Sequence, residues 1–229
     1  MPLTSDEFQA RLSKRAAAAG LPEVPAGEAR QLETYFQLLS RWNAKINLTA
    51  LPLLPPTDHT FDRLLIEPLL AARLLPASAR TWFDLGSGGG SPAIPMKVAH
   101  PAANLTMVEI KSRKAAFLRE AVRTLGLDGA TVANEGFEVV ADAAAQGSVD
   151  LVTIRALRCD AALFSAVGRM LTPTGLVLLF HSNTMDLAIP GGFRVEETVQ
   201  LQPSGSSVLT VLRRTFHVEH GTTKATPDR

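Results

Sequence analysis

Cysteine is nearly absent from this chain: Cys159 is the only one among 229 residues. A single cysteine excludes an intramolecular disulfide, so the composition gives no support to a secreted, cross-linked domain. Long apolar runs are missing too, and no segment approaches the ~20 apolar residues that a helix needs to cross a bilayer. The amino terminus lacks the apolar core of a secretory signal. We therefore expect a cytoplasmic protein that does not bind membranes.

Charge of one sign is not in excess. The chain has 23 basic and 22 acidic residues and a net charge of +1. This balance argues against a broad polycationic surface and leaves room for a local basic patch. Apolar residues make up 46% of the chain, an ordinary fraction for a globular protein. The bulk numbers allow one domain, or one domain with an extension.

The apolar pattern changes near residue 80. Before it, apolar residues recur at helical spacing between prolines, which predicts three or four helices in an N-terminal extension of residues 1–80. Residues 81–214 alternate short β-rich runs with helical ones, which predicts an α/β fold with a mostly parallel sheet of about seven strands. No helical run separates the last two strands, so the final strand is expected to be antiparallel, and residues 215–229 should form a loose tail.

The strands of the sheet are expected at Thr81–Leu85, Leu105–Glu109, Ala130–Asn134, Asp150–Arg155, Gly175–Phe180, Phe193–Leu201 and Val208–Arg213. The helices between them are expected at Pro92–Ala99, Ser112–Leu125 (with Ser112 as N-cap) and Ala161–Leu171.

Four glycines occur within five residues in "FDLGSGGGSPAIP", where the first strand turns into the first helix. Such glycines let backbone N–H groups approach a ligand closely. A phosphate-binding P-loop is excluded, because it needs Gly-Lys-Ser/Thr and the first lysine after the glycines is Lys97. The dinucleotide fingerprint G-x-G-x-x-G/A fails at Ser91 when it is counted from Gly86. Counted from Gly88 it reaches Ala93, but it then begins three residues past the last apolar residue of the strand.

An acid precedes the same glycines. The spacing Asp84-x-Gly86-x-Gly88-x-Gly90 matches motif I of S-adenosylmethionine-dependent methyltransferases without a shift of frame. Their cofactor has no pyrophosphate and carries a zwitterionic amino-acid end and a sulfonium, which suits an acid at a strand end. Glu109 lies 25 residues beyond Asp84 and is expected to end the second strand, where it would accept hydrogen bonds from both ribose hydroxyls of a nucleoside. NAD would use such an acid too, so Glu109 alone does not choose between the two cofactors.

An unusual run, "RWNAKINLTA" (Arg41–Ala50), lies in the extension, and "KSRKAAFLREAV" and "IRAL" (Ile154–Leu157) follow the second and end the fourth predicted strand. Together with the glycine loop, these segments resemble the bacterial small-subunit ribosomal RNA guanine-N7 methyltransferases, also called the glucose-inhibited division protein B family. The first is similar to that family's Trp-Asn-x-x-x-Asn-Leu-Thr signature, and the loop to its Gly-Thr-Gly-x-Gly-x-Pro-Gly-Ile-Pro segment. The similarity covers about residues 28–214.

The resemblance implies a class I S-adenosylmethionine-dependent methyltransferase core with a helical N-terminal extension. It implies action on N7 of a guanine in the decoding-region loop of 16S rRNA, with 16S rRNA or the small ribosomal subunit as partner, and we expect a monomer. By position it implies that Arg155 orients the cofactor or the substrate; a surface arginine at a strand terminus is the alternative. The expected cofactor residues are Asp84, Gly86, Ser87, Gly88, Gly90, Ser91, Glu109, Phe137, Glu138 and Arg155.

The expected reaction explains why no catalytic dyad stands out. Methyl transfer needs in-line attack by a lone pair, and guanine N7 has one that is unprotonated at neutral pH, so no general base is required. Where enzymes for exocyclic amino groups have an Asn/Asp-Pro-Pro-aromatic motif, this chain has "IRALRCD". Cys159 lacks the neighbouring proline typical of pyrimidine C5 methylation and is expected to be a packing residue. His217 and His220 make an incomplete ligand set, so no metal is expected.

The densest basic cluster directly follows the second predicted strand. On a helix, Arg119 and Arg123 share one face, and the cluster would meet RNA phosphates there. A solvated helix face is an equal alternative. The candidate RNA-binding residues are Lys111, Arg113, Lys114, Arg119 and Arg123.

The Trp-Asn run of the extension also leaves two interpretations open. Trp42 continues the helical apolar stripe and is expected in the core, with base stacking as the alternative. Asn43 and Asn47, one helical turn apart, are expected to tie the extension to the core through backbone hydrogen bonds.

Several family positions differ in this chain. Leu64 replaces the histidine of the family's Arg-His-x-x-Asp-Ser, Gly136 the arginine of its Arg-x-Glu, and His181 the lysine of its Lys-Gly. "SGSSVL" (Ser204–Leu209) stands in place of its Glu-Arg-His. These departures leave open a methyltransferase for another RNA or a small molecule, and a non-catalytic ribosome- or RNA-binding module of the same fold. A nicotinamide-linked oxidoreductase is disfavoured, because Tyr35 is the only tyrosine and no Tyr-x-x-x-Lys pair exists.

Overall fold

The computed structural model describes residues 3–184, 188–201 and 206–215. Within them, seven strands form one sheet: β1 (Thr81–Leu85), β2 (Asn104–Val108), β3 (Ala130–Ala133), β4 (Val149–Arg155), β5 (Leu171–Ser182), β6 (Phe193–Gln200) and β7 (Ser207–Arg214). Their order is β3-β2-β1-β4-β5-β7-β6. The first five strands in this order are parallel, whereas β7 is antiparallel to both β5 and β6. The predicted α/β fold and its antiparallel final strand are confirmed.

Helices cover both faces of the sheet. The helical segments are α1 (Ser5–Ala18), α2 (Ala26–Asn43), α3 (Asp58–Phe61), a π-helical segment (Asp62–Ile66), α4 (Glu67–Ala72), α5 (Ala93–Ala99), α6 (Ser112–Leu125), α7 (Phe137–Ala143) and α8 (Ala161–Met170). One buried cluster joins α2, α5 and α6 to one face, and a second joins α7 and α8 to the other. Successive strand residues point to opposite faces, so Leu151 belongs to the first cluster and Val152 to the second. Among the described residues, no helix has the length and apolarity needed to span a bilayer.

The described part of the extension folds into three helical stretches: α1, α2 and the continuous run from α3 to α4. The first begins with a capping box, in which Thr4 Oγ1 accepts from the Glu7 N–H and the Glu7 carboxylate accepts from the Thr4 N–H. Phe8, Phe36 and Phe61, one from each stretch, pack with ring centroids 5.1 to 5.6 Å apart. Their cluster continues into the core beneath the sheet.

Pro68 lies within the third helical stretch, in the first turn of α4 and just after the π-helical segment. Because proline has no N–H, Pro68 cannot donate to the carbonyl oxygen of Leu64, four residues before it, or of Arg63, five residues before it. Two side chains from the sheet region use these oxygens instead. Ser91 Oγ donates to Leu64 O at 3.0 Å, and Arg155 Nη1 donates to Arg63 O at 2.7 Å. The missing N–H of Pro68 thus leaves two acceptors for side chains at the carboxyl edge of the sheet.

The element bounds differ from the predicted ones in a few places. Ser112 is the first residue of α6, and Lys111 occupies the cap position without a side-chain cap bond. Glu109 follows β2 rather than ending it, and Leu171 begins β5 rather than ending α8. The helix α7 was not predicted, because seven residues without a capping side chain give little periodic signal. The helix α6 ends as expected at Leu125, and Gly126 forms its C-cap in the left-handed conformation with φ +60°.

Three expectations fall largely outside the described residues. They concern the short connection between the last two strands, which replaces a helix there, the tail expected at residues 215–229, and the histidines His217 and His220.

Candidate active site

The carboxyl ends of three adjacent parallel strands bring predicted residues together. Asp84 is the penultimate residue of β1, Glu109 directly follows β2, and Arg155 ends β4. β1 lies between β2 and β4, so the direction in which the chain adds strands reverses there. Open α/β sheets bind ligands at such a switch point. A ligand site is therefore expected at the end of β1.

The glycine loop crosses this edge in a conformation that requires glycine. Gly86, Gly88 and Gly90 have φ values of +74°, +51° and +85°. A Cβ on Gly86 would lie 2.7 Å from the Leu157 side chain, and one on Gly90 would lie 2.5 Å from Ile94. The loop therefore packs against its neighbours more closely than any other residue type allows.

Two backbone N–H groups hold the Glu109 carboxylate. Oε2 accepts from Gly88 N at 2.9 Å, and Oε1 accepts from Lys111 N at 2.8 Å. Each carboxylate oxygen has a further lone pair for a ligand hydroxyl. The arrangement fits a vicinal diol such as the ribose of a nucleoside.

Asp84 carries an acceptor that nothing in the described chain uses. Its Oδ1 accepts from Thr153 Oγ1, which itself accepts from Trp82 Nε1 at 2.9 Å. Its Oδ2 is buried and has no hydrogen-bond partner among the described residues. Burial raises the pKa of Asp84 to about 6, because the charged form is poorly solvated. An orphaned carboxylate oxygen fits a cationic ligand, and S-adenosylmethionine carries both an ammonium and a sulfonium.

The glycine loop and Glu109 line a cavity of about 550 Å³, a volume typical of a small-molecule site. Phe137 and Glu138, the first residues of α7, add an aromatic ring and a second carboxylate to its wall. Asp84 and Gly90 are buried behind that wall. The donor and acceptor set fits S-adenosylmethionine. Eight of the ten predicted cofactor residues line the cavity, namely Gly86, Ser87, Gly88, Ser91, Glu109, Phe137, Glu138 and Arg155.

A second cavity, of about 500 Å³, adjoins the first. Its lining is mainly apolar, with Leu64 and Phe180 among the contributors, and His181 lies at its polar side. Sequence reasoning did not find it, because its lining comes from both halves of the chain. Its size suits a nucleobase with part of its sugar. The residues in the wall common to both cavities are Leu48, Gly89, Ser91, Arg155, Ala156 and Leu157.

Arg155 is not a surface arginine, since its side chain is only 11% exposed. Its guanidinium pairs with the Glu67 carboxylate and lies 5.3 Å from the ring centroid of Phe180. Glu67 also pairs with Arg63 at 3.1 Å. Burial lowers the pKa of Arg155 to about 10, which still leaves the group charged at neutral pH. A charged group therefore sits between the two cavities, and its orienting role stays a prediction.

Comparison with known proteins decides the family. A family model described as "rRNA small subunit methyltransferase G" matches residues 28–190. The chain belongs to this family.

Individual relatives agree with that assignment. The chain is 36% identical over 203 residues to the ribosomal RNA small subunit methyltransferase G of Stenotrophomonas maltophilia (strain K279a), covering 86% of this chain and 89% of the relative. It is 37% identical over 187 residues to the protein of that name from Xanthomonas axonopodis pv. citri (strain 306), and the match covers 80% of this chain and 84% of the relative. A solved S-adenosylmethionine-dependent methyltransferase from Aquifex aeolicus shares the fold with a TM-score of 0.53 at 14% identity, covering 68% of this chain and 92% of that one. The resemblance noted in the sequence is confirmed, and so is the expected cofactor class.

The family signature in the extension lies against both cavities. Asn43 Oδ1 accepts from Leu48 N at 2.8 Å and from Thr49 N at 3.0 Å. Trp42 is partly buried and packs edge-on against an aromatic ring of α6, with centroids 5.9 Å apart. Both bonds of Asn43 stay within the extension and Asn47 is exposed, so the expected tie of the extension to the core through these two asparagines is wrong. The signature therefore fixes the segment that forms part of the wall between the cavities.

Two contributors to the site carry weak sequence signals or none. Glu67 is a lone acid inside the apolar run "RLLIEPLL", and a charged residue in a buried stretch requires a partner. That pattern indicates that Glu67 has a partner, but it does not identify Arg155. Tyr35 donates to Gly89 O at 2.7 Å, 54 residues away. No local pattern indicates such a contact.

The basic cluster that follows β2 divides between two places. Lys111 and Lys114 line the first cavity, which favours a role near the cofactor. Arg113, Arg119 and Arg123 are exposed on α6, where contact with RNA stays a prediction.

Proposed function

We propose that this protein transfers a methyl group from S-adenosylmethionine to N7 of a guanine in 16S rRNA. The observation that carries the proposal is the pair of adjoining cavities. The first offers the Glu109 carboxylate to a cationic nucleoside, with the buried Asp84 carboxylate behind its wall, and the second offers apolar walls beside the charged Arg155. Family membership supports rRNA as the class of substrate.

The roles of the first cavity follow from its geometry. Glu109 accepts from the ribose hydroxyls, since both its oxygens are oriented by backbone N–H groups. The unused oxygen of Asp84 offsets the cationic end of the cofactor. Gly86 lets the loop backbone come close to the ligand, because a side chain there would collide with Leu157.

The second cavity has a modest chemical task. When bound, S-adenosylmethionine supplies a methyl group on a positively charged sulfur. Guanine N7 attacks with a free lone pair, so the chain must hold the base in line and need not remove a proton. Arg155 and Phe180 supply a cation and an aromatic face for this purpose, and their mutual stacking and the Glu67 ion pair hold the guanidinium in place.

The proposal extends to partner and location. The partner is 16S rRNA or the small ribosomal subunit, met in the cytoplasm by a monomer. Arg113, Arg119 and Arg123 supply positive charge for RNA phosphates on the exposed face of α6.

The test is a methyl-transfer assay with a mapped product. Purified protein is incubated with tritiated S-adenosylmethionine and with 30S subunits, or free 16S rRNA, from cells that lack the corresponding methylation. We expect label in 16S rRNA and 7-methylguanosine in the nuclease fragments analysed by mass spectrometry. Glu109→Ala should lose both cofactor binding and transfer, whereas Glu197→Ala, on the exposed face of β6, should keep both. Cofactor binding without transfer to either substrate would sink the proposed substrate.

A different acceptor is the second candidate. It is favoured because Leu64 and His181, two positions where this chain departs from the family pattern, both line the second cavity. Gly136, a third departure, lines the first. Label at any atom other than guanine N7 of 16S rRNA would favour this candidate. Binding of rRNA with no transfer to any RNA would favour the non-catalytic module.

A further inference from the structure

Tyr35 joins the N-terminal extension to the glycine loop. Its hydroxyl donates to the Gly89 carbonyl oxygen at 2.7 Å, and its side chain is 0% exposed. Burial raises the pKa of Tyr35 well above its ordinary value, so the hydroxyl keeps its proton. Tyr35 is therefore a permanent donor to this one backbone oxygen.

The peptide between Gly89 and Gly90 is held at both of its polar ends. Tyr35 donates to the carbonyl oxygen, and the Gly90 N–H donates to Ser87 O at 2.7 Å. Because a peptide unit is planar, two opposed bonds fix its orientation. The extension also packs on the loop backbone, since a Cβ on Gly89 would lie 3.1 Å from Leu48 O.

Gly89 occupies a position from which this restraint reaches the ligand site. It lies in the wall common to both cavities. The preceding residue, Gly88, donates its N–H to the Glu109 carboxylate. Rotation of the Gly89–Gly90 peptide would reshape this common wall and remove a restraint on the neighbouring residue Gly88, whose N–H orients the Glu109 carboxylate.

We propose that Tyr35 is a positioning residue that keeps the glycine loop in its cofactor-binding conformation, which makes the N-terminal extension a working part of the cofactor site. The inference rests on the proposed function, in which S-adenosylmethionine binds in the first cavity. Tyr35 lines neither cavity, so it acts through Gly89 and does not touch the ligand.

The expected effect on binding follows from the lost hydrogen bond. Without the hydroxyl, the partly buried Gly89 carbonyl oxygen loses this donor, which is unfavourable. Rotation of the peptide relieves the loss, so part of the free protein leaves the competent conformation. If about a tenth of the molecules remain competent, the apparent Kd for the cofactor rises about tenfold.

Tyr35→Phe tests the proposal, because it removes only the hydroxyl. Thr34→Val is the matched control: it removes the hydroxyl of the adjacent residue, whose Oγ1 donates to Arg30 O within α2 at 2.9 Å. The full chain is used in both cases. Calorimetric titration gives the Kd for S-adenosylmethionine and for S-adenosylhomocysteine, and hydrogen exchange of residues 86–91 is followed in the cofactor-free protein.

We expect Tyr35→Phe to raise both Kd values about tenfold and to speed exchange of the loop amides, with exchange in β4 and β5 unchanged. The kcat at saturating cofactor should change less than the KM for cofactor, and Thr34→Val should behave as wild type. Wild-type affinity and loop exchange in Tyr35→Phe would overturn the proposal, as would equal effects of the two variants. If the wild type itself bound no cofactor, the proposed function would fall, and loop exchange in the free proteins would still decide the role of Tyr35.

Discussion

Arg155 at the end of β4 pairs with Glu67 at the start of α4, so that a buried ion pair links the sheet to the N-terminal extension. Glu67 is 0% exposed and also pairs with Arg63. Removing two or three charges from water costs much of what their attraction gains, so such a cluster contributes less to net stability than to a fixed geometry. The geometry fixed here is that of the Arg155 guanidinium, which lies in both cavity walls.

Breaking this cluster should be costly. Glu67→Gln leaves the Arg155 guanidinium buried without its counter-charge, and we expect the free energy of unfolding to fall by about 3–5 kcal/mol. Urea unfolding followed by circular dichroism measures the change. As control, Asp142→Asn removes the partner of Arg169 from a pair whose side chains are 70% and 48% exposed; its expected cost is below about 1 kcal/mol. Equal costs for the two variants would contradict the buried-pair argument.

A side chain on the glycine loop should disturb cofactor binding. Gly86→Ala places a Cβ 2.7 Å from Leu157, which lines both cavities, at a residue with φ +74°. Gly126→Ala imposes similar backbone strain at φ +60° with open space around the new atom. Both variants should lose about 1 kcal/mol or more of stability. Only Gly86→Ala should weaken S-adenosylmethionine binding. We expect its Kd to rise tenfold or more, which corresponds to about 1.4 kcal/mol for each factor of ten. Calorimetric titration measures the Kd of both variants, and an unaltered Kd for Gly86→Ala would contradict a tightly packed loop.

Asp84, near the end of β1, should make the stability of the protein fall as pH rises. Burial raises the pKa of Asp84 to about 6 from an ordinary value of 3.8. The folded protein therefore holds this proton more tightly than the unfolded chain does, and stability falls as pH rises between about 4 and 6. Above about pH 6 the full cost of the buried charge is present, at most about 3 kcal/mol.

Asp84→Asn removes that titration. Its stability relative to wild type, without cofactor, should increase from pH 4 to pH 6 and then level off, while its affinity for S-adenosylmethionine should fall because the orphaned anionic oxygen is gone. Urea unfolding at a series of pH values gives the first quantity and calorimetry the second. A stability difference that stays constant from pH 4 to pH 7 would contradict the prediction.

The exposed arginines of α6 should contribute to RNA binding through charge alone. Arg119→Gln and Arg123→Gln should each reduce the slope of log K against log salt concentration by about 0.7–0.9, measured by filter binding to 16S rRNA. Arg169→Gln changes an exposed arginine of α8, on the other face of the sheet, and serves as control. If the α6 variants keep the wild-type slope, these arginines belong to a solvated helix face and do not contact RNA phosphates.

The parts of the site that were predictable depend on local geometry. Gly86, Gly88 and Gly90 need positive φ, and only glycine adopts it freely, so their spacing was visible in the sequence. Glu109 follows a recognisable strand. Because carboxyl ends of adjacent parallel strands meet, its nearness to the loop followed from the fold class.

The parts that escaped prediction depend on contacts between distant segments. Arg63 and Arg155 share Glu67, and Tyr35 bonds to Gly89 across 54 residues of sequence. The sequence around Tyr35 does not show whether this tyrosine donates a hydrogen bond to a loop or only fills space in the core. The use of the carbonyl groups before Pro68 was likewise not predictable from the sequence, since it needs both the missing N–H of the proline and the strand that ends at Arg155.

The contacts across residue 80 bear on how the protein unfolds. Phe8 of the extension and Trp82 of the first strand belong to one buried cluster. Two hydrogen bonds also join the extension to the sheet region, from Tyr35 to Gly89 and from Arg155 to Arg63. We expect extension and sheet to melt in a single cooperative transition. A chain shortened to begin at residue 81 would then lose its shape together with its ligand, and would not become a smaller enzyme.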